Sequence, residues 1–286
     1  MKALNKPAAG PNSLLAATAL VLLGLLSSAG AARAQAPANL PVVATPHELP
    51  GKAGGVRYYD QNWLPLAGPA GAYGYDVYRH LDSLSLKWRR RRYVQASGRL
   101  ILEQYFASEV PGPSAGLEGP GLEWYESGQL REEIFYHNHH LAGTLRTFYP
   151  NGRLRLNQIN YLGGVVACYD SAGRALPDCP EYYVHAQAKG KKVAVAKLPD
   201  LVQQRYPALL PAGYAAPTGA PPVYYAFRID STGTVRDARL LTAAAPPLAT
   251  AILQAIAQLP AFEPALLEGK PTDKIVEGKA EVKAGR

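Results

Sequence analysis

The spacing of hydrophobic and polar positions divides the chain into four stretches. Residues 14–26 form a nearly continuous apolar run, broken only by Thr18 and Gly24. Between 56 and 183 aromatic residues alternate with polar ones, and short polar turns ending in glycine interrupt them. That period of two predicts short antiparallel strands, because successive side chains of a strand face opposite sides of the sheet. Residues 186–198 are rich in Lys and Ala with little turn or aromatic signal, which suits a linker or a short helix. Beyond 199 the pattern changes again. A strand over 223–229 runs into the turn Asp230, Ser231, Thr232, Gly233, and a second strand covers 234–241. Leu248, Ala251, Ile252, Ala255, Ile256 and Leu259 then recur at intervals of three and four, the face of one helix that Pro246 and Pro247 open and Pro260 stops. Residues 275–282 read as a closing strand.

The alternating stretch is internally repetitive. Tyr93 leads through a polar turn to Gly98 and Leu100, Trp124 and Tyr125 to Gly128 and Leu130, and Phe148 and Tyr149 to Gly152 and Leu154. Cys168 and Tyr169 lead to Gly173 in the same way. The four glycines lie 30, 24 and 21 residues apart, and the widest interval holds a Pro- and Gly-rich insertion at 111–120. Each unit reads as a hairpin whose glycine supplies the positive backbone angle of a tight turn. A lone hairpin cannot bury its aromatic face, so the units are expected to stack. Val56 to Asp60 and Tyr73 to Tyr78 also alternate and are expected to begin the same sheet, although no repeat glycine marks them. Composition agrees: 18 Tyr against five Phe, with 27 Gly and 25 Pro, favours strands and turns over an all-helical chain. At 286 residues and 48% hydrophobic, there is material for two modest cores.

The N-terminus has three parts: basic Lys2 and Lys6, the apolar run, and the small-x-small site Ala32, Arg33, Ala34. That predicts a signal peptide over 1–34, a mature chain beginning at Gln35, and a periplasmic or secreted protein. An inner-membrane anchor is the alternative, but the 13–30 run is barely long enough to span a bilayer. No cysteine follows the cleavage site, so a lipoprotein anchor is not indicated. In an oxidising compartment Cys168 and Cys179 are expected to form a disulfide around the 170–173 turn. Two thiolates alone do not make a metal site. Removing Lys2, Lys6 and Arg33 takes the formal charge from +8 to +5. The excess is concentrated at Lys87 and at Arg89, Arg90, Arg91 and Arg92. This run reads either as a solvated strand edge or as a contact for an anionic envelope surface, and export argues against nucleic acid.

Enzymatic readings find no support in the residues. Gly112, Ser114 and Gly116 match a Gly-x-Ser-x-Gly pattern, yet Pro120 and the glycines beyond cannot start the helix that a nucleophile elbow requires. His137, His139 and His140 around Asn138 could ligate a metal through imidazole, but they fall where the repeat needs a polar turn. Glu132 and Glu133 are adjacent and would face opposite sides of a strand. No catalytic residue, metal or cofactor is expected.

Two family resemblances bear on fold and partner. Over 93–179 the aromatic-Tyr-x-x-Gly-x-Leu units resemble the MORN-type repeat, in the bacterial variant of antitoxin-like exported proteins. That likeness implies a β-meander used for structure or for partner contact. Over 199–283 the order of Tyr206-Pro207, Phe227, Ile229, Asp230, Gly233, Val235, Leu259-Pro260, Phe262, Pro264 and Gly269-Lys270-Pro271 resembles the TonB C-terminal domain. Phe262 stands where that family carries tryptophan, and the last strand lacks the usual aromatic finish. Together they imply a mainly β chain with a small α+β domain. Its organisation would be a flexible leader at 35–55, MORN-like hairpin repeats at 56–183, a linker at 184–198, and a three-stranded antiparallel sheet packed by helices at 199–286. The TonB resemblance further implies strand addition, in which an extended peptide of an outer-membrane receptor, or of another envelope protein, pairs with an exposed sheet edge. Carried onto this chain, that edge is Lys274, Ile275, Val276, Glu277, Gly278, Lys279, Ala280, Glu281 and Val282. Lys274, Lys279 and Lys283 fit edge protection equally well. A domain resemblance does not by itself carry energy transduction, and hairpin repeats stand where a transducer needs a long Pro-rich spacer. A structural or surface-associated repeat protein is the competing expectation.

Overall fold

The computed structural model of the chain describes residues 40–43, 53–81, 83, 85–108, 116–138, 140–159, 166–179, 183–184, 186–188, 197–215, 217, 219–267 and 269–281. The signal segment 1–34, most of the leader, Gly112, Ser114, His139, most of the expected linker, Val282 and Lys283 lie outside the described residues. The elements below all belong to the unit Ala34–Arg286. They are mainly strands, paired antiparallel, with two α-helices.

Eleven strands make one large sheet: β1 Gly55–Tyr59, β2 Pro65–Leu66, β3 Gly74–His80, β4 Trp88–Val94, β5 Leu100–Phe106, β6 Gly119–Trp124, β7 Leu130–His137, β8 His140–Leu141, β9 Thr144–Phe148, β10 Leu154–Ile159 and β11 Val166–Cys168. Their order is β11-β10-β9-β7-β6-β5-β4-β3-β1-β2, with β8 paired to β7 alone. The repeat explains it. Tyr93 pairs with Leu100, Trp124 with Leu130 and Phe148 with Leu154, so the aromatic and the leucine of each unit sit opposite one another across the turn. Gly98, Gly128, Gly152 and Gly173 have φ of 64°, 91°, 81° and 87°, the left-handed values expected of them. One residue past each of the three leucines the register slips, leaving Ile101, Arg131 and Arg155 as the extra residue of a bulge.

The first unit has no repeat glycine, and Trp63 takes its place at φ 60°. The Asp60 carboxylate accepts the N–H groups of Asn62 and Leu64, as Asp170 accepts those of Ala172 and Arg174. Strain at a left-handed tryptophan is offset by its ring contacts: the Tyr59 and Tyr73 rings lie 5.9 and 5.4 Å away, and the Arg92 guanidinium lies 4.6 Å above it. Gly74 leaves the space this ring occupies, since a Cβ there would approach it to 2.6 Å.

The arginine run is not a strand edge. It lies in β4, flanked by β3 and β5. Arg90 and Arg92 turn toward Asp76, which is fully buried. Arg92 donates to its two oxygens at 2.7 and 2.9 Å, and the Tyr59 hydroxyl donates to it at 2.6 Å. Arg91, on the opposite face, pairs with Glu103. Burial alone would raise the Asp76 carboxyl, but Arg92 and Arg90 outweigh it and hold it below the usual carboxylate range. Apolar contacts fill both sides of the sheet. Val56, Tyr58, Tyr75 and Val77 form one cluster, and Ile134, Leu145, Leu156 and Cys168 another, beside the bonded pair Cys168 and Cys179.

The second half begins earlier than the composition shift suggests. β12 Tyr183–Val184 and β13 Gln187–Ala188 fall in or beside the expected linker, yet they pair with strands far along the chain. After them come α1 Leu198–Arg205, β14 Val223–Ile229, β15 Val235–Leu240, α2 Pro246–Ala257, β16 Phe262–Glu263, β17 Ala265–Leu267, β18 Lys270–Thr272 and β19 Lys274–Ala280. The main sheet is ordered β15-β14-β19, with small sheets β12-β17-β18 and β13-β16 beside it. Val223, Tyr225, Phe227 and Ile229 alternate onto one face and close a core with Ile252, Ile256, Phe262 and Val276. The opposite face is also covered. There Ala226 is fully buried between Arg239 and Glu277, its neighbours in register. Arg239 donates to Asp60 at 2.7 Å, and Arg57 grips Glu277 with two bonds of 3.1 and 2.9 Å. The large sheet thus packs directly on the back of the small one.

Replacing Asp76 with Ala strands Arg90 and Arg92 without their shared counter-charge. We expect a loss of about 3–5 kcal/mol, measured by denaturant unfolding. Asp230 tests acid sensitivity. The Thr232 hydroxyl and the N–H groups of Thr232 and Thr234 hold its carboxyl down at about 2. A depressed carboxyl stabilises the fold fully above its unfolded value of about 4 and loses that contribution as pH falls toward about 2. Unfolding profiles from pH 5 to 2 should therefore be flatter for Asp230→Asn than for the native chain.

Candidate functional site

β19 is the strand that the sequence singles out, and its position is set by alternation. Val276 and Ala280 point into the core, and Gly278 lies on the same side. Glu277, on the other side, points at Arg57. All seven residues of β19 pair with β14, from Val223 opposite Ala280 to Ile229 opposite Lys274. No strand flanks its other edge among the described residues.

That edge is not uniformly open. At its C-terminal end the Glu281 N–H donates to Oε1 of Gln203 at 2.7 Å, while Nε2 of Gln203 donates back to the Glu281 carbonyl at 3.2 Å. The Tyr206 hydroxyl donates to the same carbonyl at 2.6 Å. A side-chain amide from α1 thus makes the two bonds that a neighbouring strand would make at this residue. The lysines have separate roles. Lys274 is half-buried over the Tyr183 ring at 5.6 Å, and burial lowers its ammonium below the usual lysine range, so it is not a solvated edge guard. Lys279 is exposed and pairs with Glu281.

Gly278 faces the Tyr225 hydroxyl. A Cβ at 278 would lie 2.5 Å from that oxygen, and the Tyr225 side chain is fully buried. The hydroxyl itself has no hydrogen-bond partner, and burial raises it well above the ordinary phenol value.

The other candidate residues do not converge on β19. His137 stands 2.8 Å from Glu118 through Nδ1, at the Asn138 turn, and His140 is exposed on β8. Glu133 pairs with Arg146 at 3.3 Å, while Glu132 lines a cleft on the other face. Among the described residues no three His, Cys, Asp or Glu side chains gather closely enough to hold a metal ion. No helix among them is long and apolar enough to cross a membrane. Sequence reasoning missed Gln203 and Arg57. Gln203 carries no motif, but an arginine inside the aromatic alternation of Val56 to Asp60 was a visible sign of a buried ion pair.

No protein-family model, curated protein or solved structure matches the chain.

Two substitutions test the packing under β19. Gly278→Ala should destabilise the chain by about 1–3 kcal/mol, as overpacking does. Tyr225→Phe removes an unsatisfied buried hydroxyl and should be neutral or slightly stabilising. Thermal unfolding of both variants reads the difference.

Proposed function

We propose that this chain is a non-enzymatic cell-envelope protein that captures an extended peptide by strand addition along the outer edge of β19. The observation that carries this reading is the place of β19 at the end of its sheet: seven residues paired with β14 on one side and, among the described residues, no strand on the other. An edge of that length offers a row of backbone donors and acceptors to a partner strand. The order of motifs from Tyr206 to Pro271 supports a TonB-like domain, and hence a peptide of an outer-membrane receptor as ligand. Periplasmic or secreted placement follows from the signal segment and suits the bonded Cys168 and Cys179.

A specific observation favours the second reading, a structural or surface-associated repeat protein. The large sheet covers the back of β14 and β19 through Arg57–Glu277 and Asp60–Arg239, so the repeats act as a supporting wall more than as a spacer.

The deciding measurement is a titration of the chain from Gln35 onward with peptides from the periplasmic N-termini of co-expressed outer-membrane receptors, followed by backbone NMR. Saturable shifts along 274–281 are expected. Flat titrations on a folded protein would transfer the assignment to the structural reading.

A further inference from the structure

The open part of the β19 edge is shorter than the strand, and alternation fixes its extent. In a paired strand the N–H and C=O groups of successive residues point to opposite edges. Tyr224 turns both of its groups toward β15: its carbonyl accepts the Leu241 N–H at 2.8 Å, and its N–H donates to the Thr242 hydroxyl at 3.0 Å. Val223, Tyr225, Phe227 and Ile229 therefore turn theirs toward β19, opposite Ala280, Gly278, Val276 and Lys274. Ile275, Glu277 and Lys279 are left with backbone groups aimed outward, and among the described residues nothing hydrogen-bonds to them on that side. Glu281 comes next in the same phase. Its outward N–H and C=O are the two groups that Gln203 occupies, at 2.7 and 3.2 Å.

Gln203 is held in place by its helix. Leu198, Val202 and Tyr206 recur every four residues and bury one face of α1 in the core. Gln203 is half-buried beside that face and reaches Glu281 from the flank, where the Tyr206 hydroxyl joins it at the same carbonyl. A glutamine side chain ends in a primary amide, the donor and acceptor pair that a peptide bond also carries. One rung of peptide recognition is thus already made on this edge, from within the chain.

We infer that Gln203 is a register stop for the captured peptide: an extended segment pairs with Ile275, Glu277 and Lys279 and ends against α1. This stop presupposes strand addition at β19 and sets its extent. The stretch from 275 to 279 accommodates about five residues of a partner, roughly 17 Å of strand. Such a segment is recognised through alternate residues. Those bonded to the edge must keep their N–H, so proline is excluded from them and admitted between them.

Amide hydrogen exchange, read residue by residue by NMR on the chain from Gln35 onward, tests the stop. Without peptide, the Glu281 amide should be protected while those of Ile275, Glu277 and Lys279 exchange freely. Gln203→Ala, which keeps a good helix former in α1, should speed Glu281 exchange about fivefold, the worth of one hydrogen bond. Saturated with the receptor peptide that gives the largest shifts at β19, the native chain should gain protection at 275, 277 and 279, with the Gln203 side-chain amide signals unmoved. N-methylation of that peptide at alternate residues should weaken binding about tenfold in one phase and little in the other. A freely exchanging Glu281 amide in the native chain, displacement of the Gln203 signals on binding, or equal effects of N-methylation in both phases would overturn the stop and leave peptide capture standing. Saturation by none of the receptor peptides would overturn both.

Discussion

Chain reversal through a single left-handed residue governs this molecule. The turns at Trp63, Gly98, Gly128, Gly152 and Gly173 each pivot on one position with positive φ, and everything placed by the repeat is placed relative to it. The aromatic–leucine pair is set directly across the turn, and the bulge follows one residue later. The small sheet uses the same device: Asp230 accepts N–H groups from Thr232 and Thr234, and Gly233 reverses the chain at φ 83°. The two halves, so different in composition, turn corners by one local rule. Trp63 shows that the rule concerns backbone angle more than residue type, provided that the side chain finds enough contacts to offset the strain.

Electrostatics decides how the halves meet. A flat sheet face bearing Arg57, Asp76, Arg90 and Arg92 would be costly to cover with apolar surface, because buried charges need partners. The small sheet answers with Glu277 and Arg239 on either side of Ala226, where a small residue lets the faces approach. The interface is thus selective as well as cohesive: sliding β19 by one residue would put Val276 or the bare Gly278 where Glu277 meets Arg57 and send the carboxylate into the core.

Much of this was written in local signals. The repeat glycines, the 223–233 strand and turn, and the helix from Pro246 onward are short-range patterns, and each appears where its residues predicted it. Long-range pairing was not readable. Nothing in Tyr183 or Gln187 announces partners near residues 263 and 267, so that segment looked like linker. The arginine run misled for a related reason. Four consecutive cations suggest solvent, yet alternation in a strand sends two of them to each face, and their counter-charges Asp76 and Glu103 come from the two neighbouring strands. β19 was placed nearly to the residue, but the glutamine that caps its end carries no sequence signature.

The disulfide makes the two margins of the repeat sheet unequal. Strand β11 has three residues and, among the described residues, pairs with β10 alone, so it is a short margin of a row in which each hairpin leans on the next. Cys168 sits in that last strand and is anchored to Cys179 beyond its turn. With the bond closed, the turn beyond β11 is tied back to its strand, which restricts the unfolded loop and favours the folded margin. In a reducing environment that constraint is lost, and the β11 margin opens more readily than it does in the bonded chain. A covalent link thereby makes one margin of the row depend on the redox state of its surroundings.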